Sequence, residues 1–286
     1  MFNGLLVLKQ ILAVALLTLP LAAAEIHIDH VTIAGTNLDA IRKAFTQATG
    51  VPTEYGGPHA NHASEMAIIS FPDGSYLELM GIQKQADPKA VDEHAWSVYL
   101  RNNSGPCAFA IRVPDVSAEL NRLHAAGIPA GTIERSGRVR PDGTKLDWET
   151  ATVGPGRRGS LFPFLIRDFT SRDARVNPSG KPTTTQYAGV SHVVIGVRDL
   201  DAAIALYRKA YGLAVPRTEH DAALDAEVAW FDGSPIALAA NRAASSWLAR
   251  RVAEYGEAPV AFVIGSGKGK IAWADERKLG WRLGID

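Results

Sequence analysis

Glu78 stands in Tyr76-Leu-Glu-Leu-Met80, where strand alternation puts Tyr76, Glu78 and Met80 on one face and Leu77 and Leu79 on the other. A carboxylate in a place fit for a core residue is costly to bury unless it meets a metal, a cation or a substrate. An ion pair with Arg138 or Arg140 is the plain alternative. His30 opens the apolar run His30-Val-Thr-Ile and reads either as a ligand or as a hydrogen-bonded core histidine that keeps a strand in register. His59 and His62 lie in Glu54-Tyr-Gly-Gly-Pro-His59-Ala-Asn-His62, a glycine-rich stretch read as a loop, where they are further ligands or ordinary surface histidines. Arg138 and Arg140 alternate onto one strand face, and Trp148 falls on the next strand. Two guanidinium groups beside an indole suit a clamp for a carboxylate or other anion against an apolar wall, with a solvated hairpin as the competing reading.

These residues belong to a repeat. The pattern that begins at His30 returns at His192-Val-Val-Ile-Gly-Val, with capping residues (Asn37, Asp199) and helix-closing glycines (Gly50, Gly212) at matching offsets. Residues 26–34 alternate as a half-buried strand, which places His30 on a face with Ile28 and Thr32. Leu38, Ile41, Phe45 and Ala48 recur at helical spacing between Asn37 and Gly50. Strands over 66–71 and 76–80 follow, joined by the turn Pro72-Asp-Gly-Ser75. From Pro106 the plan restarts, with a cap at Asp115 or Ser117 and a stop at Gly127, but Ala108 now holds the histidine position. Residues 169–186 are polar and aperiodic and read as a linker. In the third copy Ala237 takes the place of Glu78. A last strand near 260–264 opens a fourth copy with Ala261 at the histidine position, and the 22 residues after it are too few for a full unit.

The chain of 286 residues carries 30 basic and 30 acidic residues, a formal charge of zero without long runs of either sign. That gives no support for nucleic acid or an acidic membrane surface as partner and leaves a small molecule. Residues 1–24 read as a signal peptide cleaved after Ala24, so the mature protein is expected to be exported, periplasmic or secreted, and free of the membrane. The uncharged stretch 11–24 spans 14 residues, short of the roughly 20 needed to cross a bilayer. The single cysteine, Cys107, cannot form an internal disulfide and reads as a core residue.

The residues Asp29-His30-Val-Thr-Ile, Gly56-Gly-Pro-His59, Asp73-Gly-Ser-Tyr-Leu-Glu78-Leu and Ser191-His192-Val-Val-Ile-Gly resemble those of the vicinal oxygen chelate superfamily, in its glyoxalase-like branch. The resemblance implies an α+β fold of tandem βαβββ modules. One complete half-barrel domain covers residues 25–168, and a second, truncated and degenerate, covers 187–286. In metal-dependent relatives a first-strand histidine and a last-strand glutamate from each of two paired modules hold a divalent ion, which polarises a substrate oxygen. His30 and Glu78 match that pattern, with His59 or His62 as a third ligand. The partner module offers Ala108 and either Pro163 or Phe164. The second half offers His192 against Ala237 and Ala261, which argues against an extradiol dioxygenase.

The implied function is an exported lyase, isomerase or related enzyme that uses Zn, Fe, Mn or Ni on a small oxygenated molecule. The ion, held by His30, Glu78 and His59, would stabilise an enolate-like intermediate while Tyr76 or Glu78 moves a proton. Arg138, Arg140, Trp148 and His62 are the expected substrate contacts. Export disfavours glutathione as co-substrate. A metal-free protein that binds a small apolar or anionic ligand is the alternative, and a scaffold for protein contacts is a third reading.

Overall fold

The computed structural model describes residues 25–102, 105–140 and 142–286, so the expected signal peptide lies outside the described residues. The first half runs β1 (His27–Ala34), α1 (Leu38–Thr49), β2 (Glu54–Pro58), β3 (Ser64–Ser70), β4 (Tyr76–Ile82), α2 (Pro88–Glu93), α3 (Ser97–Asn102), β5 (Gly105–Arg112), α4 (Val116–Ala125), β6 (Glu134–Val139), β7 (Lys145–Ala151), β8 (Phe164–Asp168) and α5 (Arg172–Val176). The second runs β9 (Gly189–Gly196), α6 (Leu200–Tyr211), β10 (Arg217–Asp221), β11 (Ala226–Trp230), β12 (Ile236–Ala240), α7 (Trp247–Tyr255), β13 (Ala258–Gly265), β14 (Ala272–Trp273), α8 (Glu276–Leu279) and β15 (Arg282–Ile285).

Each half forms one curled mixed sheet, eight-stranded in the order β2-β3-β4-β1-β5-β8-β7-β6 and seven-stranded in the order β10-β11-β12-β9-β13-β15-β14. The repeat is visible in the pairing. β1 runs parallel to β4 and antiparallel to β5, as β9 does to β12 and β13. Helix boundaries follow local chemistry: Asn37 and Asp199 accept backbone N–H groups of Ala40 and Ala202, and Gly50 and Gly212 end their helices in the left-handed region. The residues after Ile264 complete the second sheet with a single four-residue helix.

Val31, Ile33, Leu77 and Leu79 of the first sheet and Val193, Ile195, Leu238 and Phe262 of the second turn toward α1, α4 and α6 and share one core. The opposite faces differ. In the second half α7 lies across that face and packs Leu248 and Val252 on Val194, Ala237, Ala239, Val260 and Ala261. Gly196 permits the approach, because a Cβ there would stand 2.6 Å from Val260 and 3.0 Å from Leu248 and Val252. The small residues at the Glu78-like and histidine-like positions therefore make room for a helix. In the first half α2 and α3 cover only one end of the face, where Tyr99 and Leu100 pack with Ala34, Met80, Cys107 and Ala108. The remainder stays open.

Three expectations change. The glycine-rich stretch around Gly56 is strand β2 and not a loop, since it pairs with β3 through a register shift between Tyr55 and Gly57. Ile28 faces the core with Val31, not the face of His30, because β1 shifts register against β5 between Ile28 and His30. The stretch 169–186 connects the two sheets but carries α5, whose Arg175 is buried. This arginine meets Asp29, the residue at the bulge. Arg175 donates to Asp29 at 2.9 and 3.2 Å, to Asp168 at 2.9 Å through Nη2, and to the Tyr76 hydroxyl at 2.8 Å. Arg172 also donates to Asp29.

Burial alone would push the Asp29 carboxyl up, but Arg175, the His30 hydrogen bond and Arg172 together hold it well below the usual range. A depressed folded-state value means that its stabilisation is present above the ordinary carboxylate pKa and is lost as pH falls through the lower one. Asp29→Asn should lower unfolding free energy by about 3–5 kcal/mol, the usual result of orphaning a buried ion partner. Urea denaturation from pH 7 to 3 should show the parent losing stability on the acid side more steeply than the variant. Equal stability of the two proteins at pH 7 would contradict this role.

Candidate functional site

The open face of the first sheet encloses a cavity of about 620 Å³. Among the residues singled out in the sequence, His30, His59, Tyr76, Glu78, Arg138 and Trp148 lie on its wall. Arg140 and His62 do not. Arg140 donates to the carbonyls of Ala174 and Pro178 and so anchors the α5 segment. His62 is exposed, with a positive φ of 57° at the turn before β3. Neither stands where a substrate in this cavity would meet it.

Register places the rest. β1 and β4 pair His30 with Tyr76 and Thr32 with Glu78, so all four project from adjacent strands to the same side. The Thr32 hydroxyl donates to Glu78 Oε2 at 3.0 Å, and His59 Nε2 lies 3.7 Å from Glu78 Oε1. His30 is stacked on Tyr76 at 4.7 Å between ring centroids and meets the edge of Phe164 at 5.3 Å. Its Nδ1 lies 2.7 Å from Asp29 Oδ1, which fixes the ring. Phe164 pairs with Ala110 as Glu78 pairs with Thr32, so Phe164 rather than Pro163 occupies the glutamate-like place of the second module.

Cations line the same space. Arg138 reaches from edge strand β6 to the carbonyl of Gly56 on the opposite edge strand β2, at 2.9 Å. Arg158 lies over the Phe164 ring at 4.2 Å, with Glu134 as its carboxylate partner at 3.3 Å. Burial lowers the pKa of both guanidinium groups, the signature of charge withdrawn from water, and nearby acids only partly offset it. Burial also lowers that of His59, with Glu78 opposing and Arg138 adding, so the ring is neutral at pH 7. The Tyr76 phenol is pushed far up by burial and stays protonated, which removes it as a base.

Two buried polar atoms on this wall, Trp96 Nε1 and Thr150 Oγ1, have no hydrogen-bond partner. Buried groups of this kind are normally satisfied, which sets Trp96 and Thr150 apart from the other residues of the wall. Trp96, His94, Arg158, Thr150 and Arg175 were not singled out in the sequence. His94 and Trp96 lie between β4 and β5 in the short link between α2 and α3, which carries no periodicity. Arg158 sits among glycines. Arg175 lies in a stretch whose polarity resembles a linker.

The donor set decides whether a divalent ion fits. Among the described residues, no three histidine, cysteine, aspartate or glutamate side chains converge to hold one. The second module offers Ala108 and Phe164 in the histidine-like and glutamate-like places, neither with a donor, and Arg138 and Arg158 repel a cation next to Glu78. The expected set of His30, Glu78 and His59 therefore does not fit a divalent metal.

Paired βαβββ modules curled into half-barrels, with a small-molecule cavity inside the first, define a protein of the vicinal oxygen chelate superfamily. The sequence profile of a glyoxalase-like domain matches residues 28–187, and the chain belongs to that glyoxalase-like family. No curated protein matches in sequence. Among solved structures, a hypothetical protein from Staphylococcus aureus is similar at 12% identity and a TM-score of 0.64, over 91% of this chain and 99% of that one. A mutant 4-hydroxymandelate synthase from Streptomyces coelicolor is similar at 13% identity and a TM-score of 0.54, over 84% and 71% of the two chains. These likenesses concern the fold.

Elemental mass spectrometry of residues 25–286, after exposure to Zn, Fe, Mn or Ni and desalting, should give well under one ion per chain, with no difference in Glu78→Ala. A near-stoichiometric ion lost in the variant would contradict the reading of the donor set.

Proposed function

We propose that the first half-barrel binds a small organic acid with an aromatic or branched apolar body and moves a proton on it without a metal, as a lyase or isomerase does. The observation that carries this reading is the convergence of Arg138, Arg158, Thr150 and Trp96 on one apolar cavity, with Glu78 on the same wall. Withdrawn guanidinium groups and unpartnered donors favour a carboxylate, which accepts several hydrogen bonds at once. Met66, Ile68, Phe164, Ile166 and Trp148 supply an apolar surface for the remainder of the molecule.

Glu78 suits the base. One oxygen is held by Thr32, and the other faces the cavity beside His59. A carbon acid bound through its carboxylate would present its α-hydrogen to that oxygen, and the arginines would oppose the charge that develops. The rigid stacking of His30 on Tyr76, braced by Asp29, forms a wall that keeps the ligand near Glu78.

Isothermal titration should show phenylacetate binding at least tenfold more tightly than its neutral isostere phenylacetamide. Arg138→Ala and Arg158→Ala should each weaken phenylacetate binding by roughly 10- to 100-fold, the equivalent of a hydrogen bond to a charged group worth about 1.5–3 kcal/mol. Equal affinity for acid and amide would overturn the assigned ligand class. For the reaction, phenylpyruvate in D₂O should exchange its α-hydrogens faster with the protein than in buffer, by proton NMR. Glu78→Gln should lose that acceleration and retain binding. Binding without any acceleration by the parent would make this a ligand-binding protein of the same fold.

A further inference from the structure

A chain of hydrogen bonds along the cavity wall determines which nitrogen of His59 carries its proton. The Trp96 backbone N–H donates to His94 Nδ1 at 3.2 Å. An amide can only donate, so that nitrogen is an acceptor, and a neutral His94 carries its proton on Nε2. His94 Nε2 lies 3.3 Å from Ser64 Oγ and must be the donor there. Asn61 Nδ2 donates to the same oxygen at 3.3 Å, which fills its acceptor capacity. The hydroxyl hydrogen of Ser64 is left for its nearest partner, His59 Nδ1, at 2.8 Å. His59 Nδ1 is then an acceptor, and the proton of His59 lies on Nε2, the nitrogen 3.7 Å from Glu78 Oε1.

We infer that Ser64 and His94 are positioning residues that lock His59 as a neutral Nε2–H donor facing the bound acid, where it supports an enolate oxygen in place of a metal ion. The assignment of the donor rests on the hydrogen-bond geometry alone; its chemical use rests on the proton-transfer function proposed above. In that step Glu78 takes the α-hydrogen as a proton, and the C–H electron pair forms the carbon–carbon double bond of the enolate. The carbonyl π pair moves to oxygen, which accepts from His59 Nε2–H. Return of a proton or deuteron from Glu78 to carbon reverses each movement, so nothing is consumed. A neutral imidazole is fitted to this because its N–H pKa is close to that of an enol, and an imidazolium would instead give up its proton. Burial keeps both His59 and His94 neutral, consistent with the chain as drawn.

The test is a long-range proton–nitrogen NMR spectrum of the full mature chain with ring-labelled histidine at pH 7.5, with signals assigned by His59→Gln and His94→Gln variants. Expected is a single tautomer for each residue, protonated at Nε2 with unprotonated Nδ1, and no change at His59 on addition of zinc. Ser64→Ala should shift His59 toward a mixture of tautomers, whereas Ser64→Thr, which keeps the hydroxyl, should preserve the single form. A parent in which His59 is protonated on Nδ1, or averaged between the two, overturns the proposal whatever the variants do. A Ser64→Ala spectrum identical to the parent at His59, in a protein whose amide spectrum shows it folded, also overturns it. In the exchange assay Ser64→Ala should slow α-deuteration of phenylpyruvate about tenfold with affinity changed less than twofold, a loss that weaker binding cannot produce. The spectrum needs no turnover, so an inactive parent would count against the reaction while the tautomer lock stands or falls by NMR.

Discussion

The buried ion cluster around Asp29 is the constraint on which the site depends. An aspartate with no exposure, set at a strand bulge, can stay ionised only if cations reach it, and both reach it from a segment far along the chain. Arg175 and Arg172 thereby tie α5 to β1, and Arg175 continues to Asp168 at the end of β8 and to the Tyr76 hydroxyl on β4. One cluster thus links strands from both modules of the first half. It also orients His30, whose ring is held between Asp29, Tyr76 and Phe164. The wall of the cavity is braced because the Asp29 carboxylate and the Arg175 guanidinium behind it are paired, while Trp96 Nε1 and Thr150 Oγ1 in wall residues are left without a partner.

The two halves show how little sequence separates a cavity from a filled core. Both sheets share strand order around their central pair, and both put a helix near the concave face. With alanine at 237 and 261, α7 lies flat and buries Leu248 and Val252, each worth about 1.5–3 kcal/mol of hydrophobic burial. With Glu78 and three arginines on the first face, no apolar helix can lie there without stranding charge. The segment of α2 and α3 therefore covers one end and brings His94 and Trp96 to the rim. Family membership explains the scaffold, and the distribution of charge on one face explains the chemistry assigned to it.

Much of the fold was legible because its signals are local. Asn37 with Gly50 and Asp199 with Gly212 mark helix ends by capping chemistry, and strand alternation around Leu77 and Leu79 separates core from cavity. Glu78 stood out because a charge interrupted that alternation. The bulge at Asp29 did not, since an extra residue reverses strand parity without changing composition, and so Ile28 was placed on the wrong face. Arg175 was hidden because an arginine in a polar stretch reads as solvated until distant carboxylates are brought to it. His94 was hidden for a similar reason: its role comes from the amide of Trp96 and the hydroxyl of Ser64, and spacing records neither. Alternation puts Arg138 and Arg140 on one side, but β6 ends at Val139, and Arg140 is captured by the α5 segment while Arg138 reaches the cavity.

The central claim is that this cavity holds an organic anion against Arg138 and Arg158 with Glu78 and His59 beside it. A crystal structure with 3-bromophenylacetate, phased on the bromine signal, tests it most directly. The account predicts carboxylate oxygens within about 3.2 Å of both guanidinium groups, the brominated ring against Trp148 and Met66, and no ion near Glu78. A carboxylate bound away from both arginines, or an ion coordinated by His30, His59 and Glu78, would contradict it.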